Sequence, residues 1–131
     1  MGKLIGEELT HSVIGAFYEV HNTLGHGFVE SLYAEGLTRE LVARGHAVAR
    51  EVVVPVLYKG AEIGVQRMDM VVDQTLILEL KSSSSLNKEA PKQLLSYLKA
   101  TRLEVGLLLH FGPDGARFYR VVSSNNRKQS A

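Results

Sequence analysis

The chain has 131 residues, 45% of them hydrophobic and 22% charged, which is enough apolar side chain for one buried core and too little length for two domains. The absence of cysteine excludes a disulfide framework, a thiolate zinc site and a cysteine-ligated iron–sulfur cluster, and it fits a reducing compartment. A formal net charge of +1 argues against a protein that coats nucleic acid through a broadly basic surface, while leaving room for a few cations gathered at a cleft.

The opening Met1-Gly2-Lys3-Leu4-Ile5-Gly6-Glu7-Glu8 lacks the apolar core of a signal peptide. No later run approaches the ~20 apolar residues of a membrane helix, so a soluble cytoplasmic protein is expected. Leu9, Val13, Phe17, Val20 and Leu24 recur at helical spacing and predict an amphipathic helix over residues 7–23, ended by Gly25 and Gly27. A second helix is expected from about Phe28 to Arg44, with Val29, Leu32, Tyr33, Leu37 and Leu41 inward and Gly45 as its stop. Gly36 in its middle costs about 1 kcal/mol relative to alanine, which suggests close packing there.

From Ala49 the pattern turns β-rich, through Val52-Val53-Val54-Pro55-Val56-Leu57-Tyr58 to Lys59-Gly60, and Pro55 favours an edge strand or a bulge. Strands are expected over 64–72 and 76–82, followed by a polar loop at Ser82-Ser83-Ser84-Ser85. A third helix then runs from Asn87 or Pro91 to Thr101, with Ala90, Leu94, Tyr97, Leu98 and Thr101 on one side. Residues 105–111 are apolar on both faces, as in a central strand. The turn Gly112-Pro113-Asp114-Gly115 leads into a last strand ending near Val122. The order is ααβββαββ in a single domain over 1–122. Residues 123–131, with Arg127 and Lys128, read as a flexible polar tail.

The hairpin carries the chemistry. Asp69 on one strand and Glu79-Leu80-Lys81 on the next form D-x9-E-x-K, and side chains alternate along a strand so that Glu79 and Lys81 share a face. With a three-residue turn at Asp73-Gln74-Thr75, Val72 pairs with Leu76, Met70 with Leu78 and Met68 with Leu80. Asp69 then falls opposite Glu79, and the oily residues occupy the other face. Two carboxylates so placed would share a divalent cation such as Mg²⁺, with Lys81 beside a bound water, as a metal-dependent phosphodiesterase requires. A solvated antiparallel face carrying surface charges would show the same pattern.

Gly27-Phe28-Val29-Glu30-Ser31-Leu32-Tyr33 reads G-x-x-E-x-x-Y. Together with Asp69, Glu79-x-Lys81 and Gln93-Leu94-Leu95-Ser96-Tyr97, it resembles the GxxExxY proteins of the PD-(D/E)xK nuclease superfamily, over nearly the whole chain. The resemblance implies an α/β (α+β) restriction-endonuclease-like core, a mixed β-sheet flanked by helices. Carried over residue by residue, it makes Asp69 and Glu79 metal ligands, Lys81 the motif lysine and Glu30 an acid that contacts the metal through water. Gln93 and Tyr97 match a Q-x-x-x-Y signature whose i, i+4 spacing puts both on one helical face. A core role for Tyr97 and strand capping by Gln93 are the structural alternatives. Met68 stands where the superfamily name has proline, and His110 stands where relatives often carry asparagine.

These assignments imply Mg²⁺ or Mn²⁺ held by Asp69, Glu79 and the Leu80 backbone carbonyl, with Glu30 acting through water, and with Arg67 free to hold a phosphate or to pair with Glu79. The expected activity is hydrolysis of phosphodiester bonds in nucleic acid, DNA rather than RNA. Cutting is expected to be directed by structure or ends, since no base-reading motif is visible. The alternatives are a non-catalytic nucleic-acid-binding module, and an assembly module working as a homo-oligomer or with a partner protein. His11, His21, His26 and His46 form no ligand spacing and read as structural.

Overall fold

The structure, a computed structural model, describes residues 6–123; the expected tail therefore lies, beyond Ser123, outside the described residues. Its elements follow the expected order: α1 (Glu7–Leu24), α2 (Glu30–Ala43), β1 (Val48–Tyr58), β2 (Ala61–Val72), β3 (Leu76–Lys81), α3 (Glu89–Thr101), β4 (Val105–Gly112) and β5 (Gly115–Val122). The five strands form one mixed sheet in the order β1-β2-β3-β4-β5, and only β3 and β4 are parallel. Parallel neighbours need a crossover, which α3 supplies. This is the expected α+β, restriction-endonuclease-like arrangement of a mixed sheet flanked by helices.

The sheet is covered on both faces. Val13, Phe17 and Val20 of α1 and Tyr33, Leu37 and Leu41 of α2 pack on Met70, Val72, Leu78, Leu107 and Leu109. Ala90, Leu94, Tyr97 and Leu98 of α3 pack on Met68, Val71, Ile77 and Leu108. Burial on both faces explains why β3 and β4 read as near-continuous apolar runs. The first two helices pack closely at Gly36, where a Cβ would lie 3.4 Å from Val20 and 3.6 Å from Leu24, an ordinary contact distance that does not itself demand glycine.

Two inward assignments fail. Val29 and Leu32 are exposed, because Val29 is the extended residue before α2 and Leu32 lies off the Tyr33-Leu37-Leu41 stripe that meets the sheet. Leu24, at the end of α1, is also partly exposed, at 36%. Pro55 does lie on an edge strand, for β1 pairs only with β2, and a register shift follows between Val56 and Leu57.

The β2–β3 turn sets the register that positions the site. Asp73 and Gln74 take left-handed conformations, with φ of 53° and 57°, and Thr75 N–H returns to Val72 C=O at 3.0 Å. The Asp73 carboxylate ties this turn down by accepting from Ala47 N–H and meeting His46 Nδ1 at 2.7 Å, while His46 Nε2 meets Ser12 Oγ at 2.7 Å. Ser12, His46 and Asp73 thus join α1, the loop before β1 and the hairpin turn. The backbone amide of Ser12 is spent inside the helix, which suits a structural tie.

As expected, Val72 pairs with Leu76 and Met70 with Leu78, but the ladder ends there. Met68 does not pair with Leu80 or share a face with Met70; it packs beneath α3, whereas Met70 packs beneath α1 and α2. The strict alternation assumed from the sequence breaks between these residues. Glu51, at φ 51°, occupies the matching place on β1, between the Arg50–Met70 and Val52–Met68 pairs. A non-glycine residue in that conformation marks a local irregularity in a strand.

Close packing of α3 on β4 depends on Gly106, where a Cβ would come within 2.7 Å of Leu94 Cδ1 and 3.0 Å of its Cγ. Gly106→Ala is expected to destabilise the protein by about 1–3 kcal/mol, read as a lower denaturation midpoint in urea with an unchanged slope.

Candidate active site

β2 and β3 part beyond Met70 and Leu78, and the gap is taken by a side chain. Asp69 Oδ2 accepts the Leu80 amide at 2.8 Å, replacing the backbone bond that a continued ladder would supply. Asp69 is therefore not the ladder partner of Glu79, as the hairpin pattern suggested; its carboxylate reaches across to the residue after it. The N–H and C=O of one strand residue point to the same side, so the Leu80 carbonyl is turned toward Asp69 as well.

Glu79 is not a surface charge. It is 4% exposed, on the α3 face of β3 with Ile77, and one carboxylate oxygen, Oε1, is buried without a hydrogen-bond partner. The other, Oε2, lies 3.5 Å from Lys81 Nζ. Burial and the neighbouring Asp69 charge push the Glu79 carboxyl up to about 7, against the pull of Lys81. Asp69 is raised too, chiefly by burial and then by the Glu30 charge, while the Leu80 amide and Lys81 oppose the shift. Two carboxylates so disfavoured as anions, one with an orphaned oxygen, suit a hard divalent cation. No group of three or more His, Cys, Asp or Glu side chains converges on one point among the described residues, so an ion here would draw its remaining ligands from backbone and water.

Glu30 approaches from α2. The left-handed Gly27 (φ 117°) shapes the loop before it, and Tyr33, stacked on Phe111 at 4.0 Å, donates its hydroxyl to Gly25 C=O. Ser82 Oγ donates to Phe28 C=O at 2.6 Å and Ser82 N–H to Glu30 Oε2 at 3.1 Å. Glu30 is exposed, and its carboxylate accepts from this amide. The G-x-x-E-x-x-Y segment thus fastens α2 to the end of β3, and its acid is close enough to raise Asp69 and Glu79.

Gln93 lines a cleft of about 730 Å³ with Lys81, Ser83, Ser85 and Asn87. Tyr97 is buried in the α3 core, and its hydroxyl is pushed up to about 12 by burial and by the Glu79 and Asp69 charges. It is a core aromatic that also borders the carboxylates. Arg67 does not pair with Glu79; its guanidinium lies 3.4 Å from Glu51 Oε1. His110 Nε2 meets Ser83 C=O at 2.8 Å, holding the serine loop beside Lys81. Arg50 and Glu51, which line a second cleft with Glu30, Arg67, Asp69 and Leu80, were not singled out from the sequence. Adjacent strand residues normally face opposite ways, so no sequence signal joins them.

In the metal-free protein Glu79 keeps its proton to about pH 7, whereas the unfolded carboxyl loses it near 4.5. The native state then binds more protons between those values, and stability falls as pH rises from about 4.5 to about 7. Glu79→Gln is expected to flatten that slope and to stabilise the metal-free protein at neutral pH by on the order of a few kcal/mol, measured by urea denaturation in EDTA.

Comparison with known proteins agrees with this architecture. A sequence model of the PD-(D/E)XK nuclease superfamily matches residues 7–121. No curated protein matches the chain. Among solved structures, the fold is similar to the crystal structure of SSO0001, at TM-score 0.57 and 20% identity, over 95% of this chain and 64% of that one. It is also similar to an alkaline exonuclease (LHK-Exo) from Laribacter hongkongensis, at TM-score 0.53 and 12% identity, over 99% of this chain and 76% of that one. The chain thus spans less than two thirds of SSO0001. With the family match covering both helical layers and every strand, the chain belongs to the PD-(D/E)XK nuclease superfamily.

Proposed function

We propose that this protein is a metal-dependent nuclease of the GxxExxY kind that hydrolyses phosphodiester bonds of nucleic acid, DNA in preference to RNA. The observation that carries the reading is the pair of raised carboxylates where β2 and β3 part, Glu79 buried and Asp69 half-buried, with Lys81 Nζ 3.5 Å from Glu79. Asp69, Glu79 and the Leu80 carbonyl would hold Mg²⁺ or Mn²⁺, and Glu30 would act through a water. The bound ion supplies charge neutralisation and a more acidic water.

The chain's own residues do the rest. Asp69 is held in place by the Leu80 amide, which limits the motion of the ligand pair. Lys81 is tethered by Glu79 and lines the larger cleft; its ammonium orients the attacking water and donates to the phosphoryl oxygen as negative charge develops there. Gln93 lines the same cleft and offers an amide to a phosphate or a base edge, and Arg67 offers a guanidinium on the other side of the site.

Cutting directed by ends or structure is the fitting mode: the described residues present no helix-turn-helix, and one of the proteins sharing the fold is an alkaline exonuclease. Labelled single- and double-stranded DNA and RNA, incubated with Mg²⁺ or Mn²⁺, should be cut by the wild-type protein, DNA fastest, with closed circles resistant. Lys81→Ala should lower kcat by about 10²–10³, and Asp69→Ala should abolish both cutting and metal-induced thermal stabilisation. Folded protein that neither binds metal nor cuts any substrate would sink the proposal.

An assembly role has one observation behind it. The β1–β2 hairpin exposes Val53, Leu57, Tyr58, Ile63 and Val65, an apolar surface larger than scattered single residues. A homo-oligomer would cover it. Light scattering should then give a mass above the 14.4 kDa of one chain, and Ile63→Ser with Val65→Ser should return it to that value.

A further inference from the structure

The cleft on the α2 side of the site, about 200 Å³ in volume, brings Arg50, Glu51 and Arg67 to the same place as Glu30, Asp69 and Leu80. Arg50 and Glu51 are consecutive on β1 and would ordinarily point to opposite faces of the sheet. Glu51's left-handed backbone, φ 51°, between the Arg50–Met70 and Val52–Met68 pairs, is what allows both to line one cleft. A non-glycine residue held in that conformation stores strain, and such residues concentrate at functional sites.

Each arginine is parked on an acid. Arg50 Nη1 lies 3.4 Å from Glu35 Oε1 and 3.3 Å from Thr38 Oγ1, and Arg67 Nη1 lies 3.4 Å from Glu51 Oε1. Glu35 is already engaged more closely by Arg39, at 3.0 Å. Both acids are more than half exposed. Pairs this long and this wet hold weakly, so an incoming anion with two or three acceptor oxygens can replace the carboxylate.

We infer that Arg50 and Arg67 form a phosphate clamp for the nucleic-acid strand, held in reserve by Glu35 and Glu51, which the substrate's phosphates displace. Arg67 is two residues from Asp69 on β2, about 7 Å along the strand, so the phosphate it takes neighbours the one at the carboxylates. Recognition is by backbone phosphate alone, which makes the clamp indifferent to sequence. This inference rests on the nuclease reading for its substrate, and it adds Arg50 and the two displaced acids to the binding surface.

The test is binding of a fluorescein-labelled DNA oligonucleotide, single-stranded and duplex, followed by anisotropy over a range of KCl concentrations in EDTA, beside cleavage kinetics in Mg²⁺ or Mn²⁺. Arg50→Gln and Arg67→Gln should each reduce the slope of log K against log salt by about 0.7–0.9 and raise KM more than they change kcat, while Lys81→Ala keeps most of the slope. Glu51→Gln and Glu35→Gln should move the other way, tightening binding by about 1.5- to 5-fold, because they remove the competitor. A merely structural role for these pairs would weaken binding in all four variants alike.

Cutting by the wild type with unchanged slopes in both glutamine variants of the arginines overturns the clamp alone. Arginine-dependent binding without cleavage leaves the clamp standing and overturns the nuclease reading. Wild-type protein that binds no nucleic acid overturns both. Arg67 is largely exposed, so its variant folds even where Arg50→Gln, closer to α2, does not.

Discussion

The bond from the Leu80 amide to the Asp69 carboxylate is the contact on which the site depends. A hairpin whose ladder continued would fill the space between β2 and β3 with backbone hydrogen bonds and leave the acids on its faces. Here the ladder stops at Met70 and Leu78, and a carboxylate takes the next amide. The amide is satisfied, as a buried donor must be, and Asp69 is drawn into the seam beside Glu79. Everything polar in the site is arranged around that opening.

The opening has a cost, which the remainder of the fold offsets. Burial disfavours both carboxylates as anions, and one oxygen of Glu79 has no partner. Around them stands a core packed on both faces of the sheet, with Phe17 and Tyr33 both in ring contact with Phe111 on one side and Leu94 pressed onto Gly106 on the other. A rigid sheet can hold a buried Glu79 beside a half-buried Asp69 because its neighbours leave them nowhere to relax. A divalent cation would relieve that same frustration, so the destabilising burial of these acids and the metal binding proposed for them would have one origin.

Two loops frame the opening, one fixed to the end of β3 and the other to β4. Ser82 binds Phe28 and Glu30, which sets the start of α2, and His110 holds Ser83, which sets the serine loop ahead of α3. The larger cleft, with Lys81 and Gln93, and the smaller one, with Arg50 and Arg67, therefore flank the acids on opposite sides. A strand of nucleic acid laid across them would meet Lys81 and Lys92 beside Glu89 and neutral hydrogen-bonding groups in one cleft, and two guanidinium groups beside Glu30 and Glu51 in the other.

Much of this was legible in the residues, because it depends on short-range periodicity. Apolar spacing located all eight elements, the three-residue turn selected the Val72–Leu76 and Met70–Leu78 pairs, and D-x9-E-x-K marked the acids and the lysine. What the sequence could not decide is where alternation fails. The switch of Met68 to the α3 face, the left-handed Glu51 and the replacement of a ladder bond by Asp69 each involve two strands at once. A single strand's pattern carries no record of its neighbour's irregularity. Arg50 and Glu51 look like ordinary alternating surface charges until β1 twists beside Asp69 and turns both into one cleft. Local sequence determined which segments became strands and which side chains had chemistry to offer; the tertiary structure decided which of them meet, because burial and backbone geometry act across strands that the chain order separates.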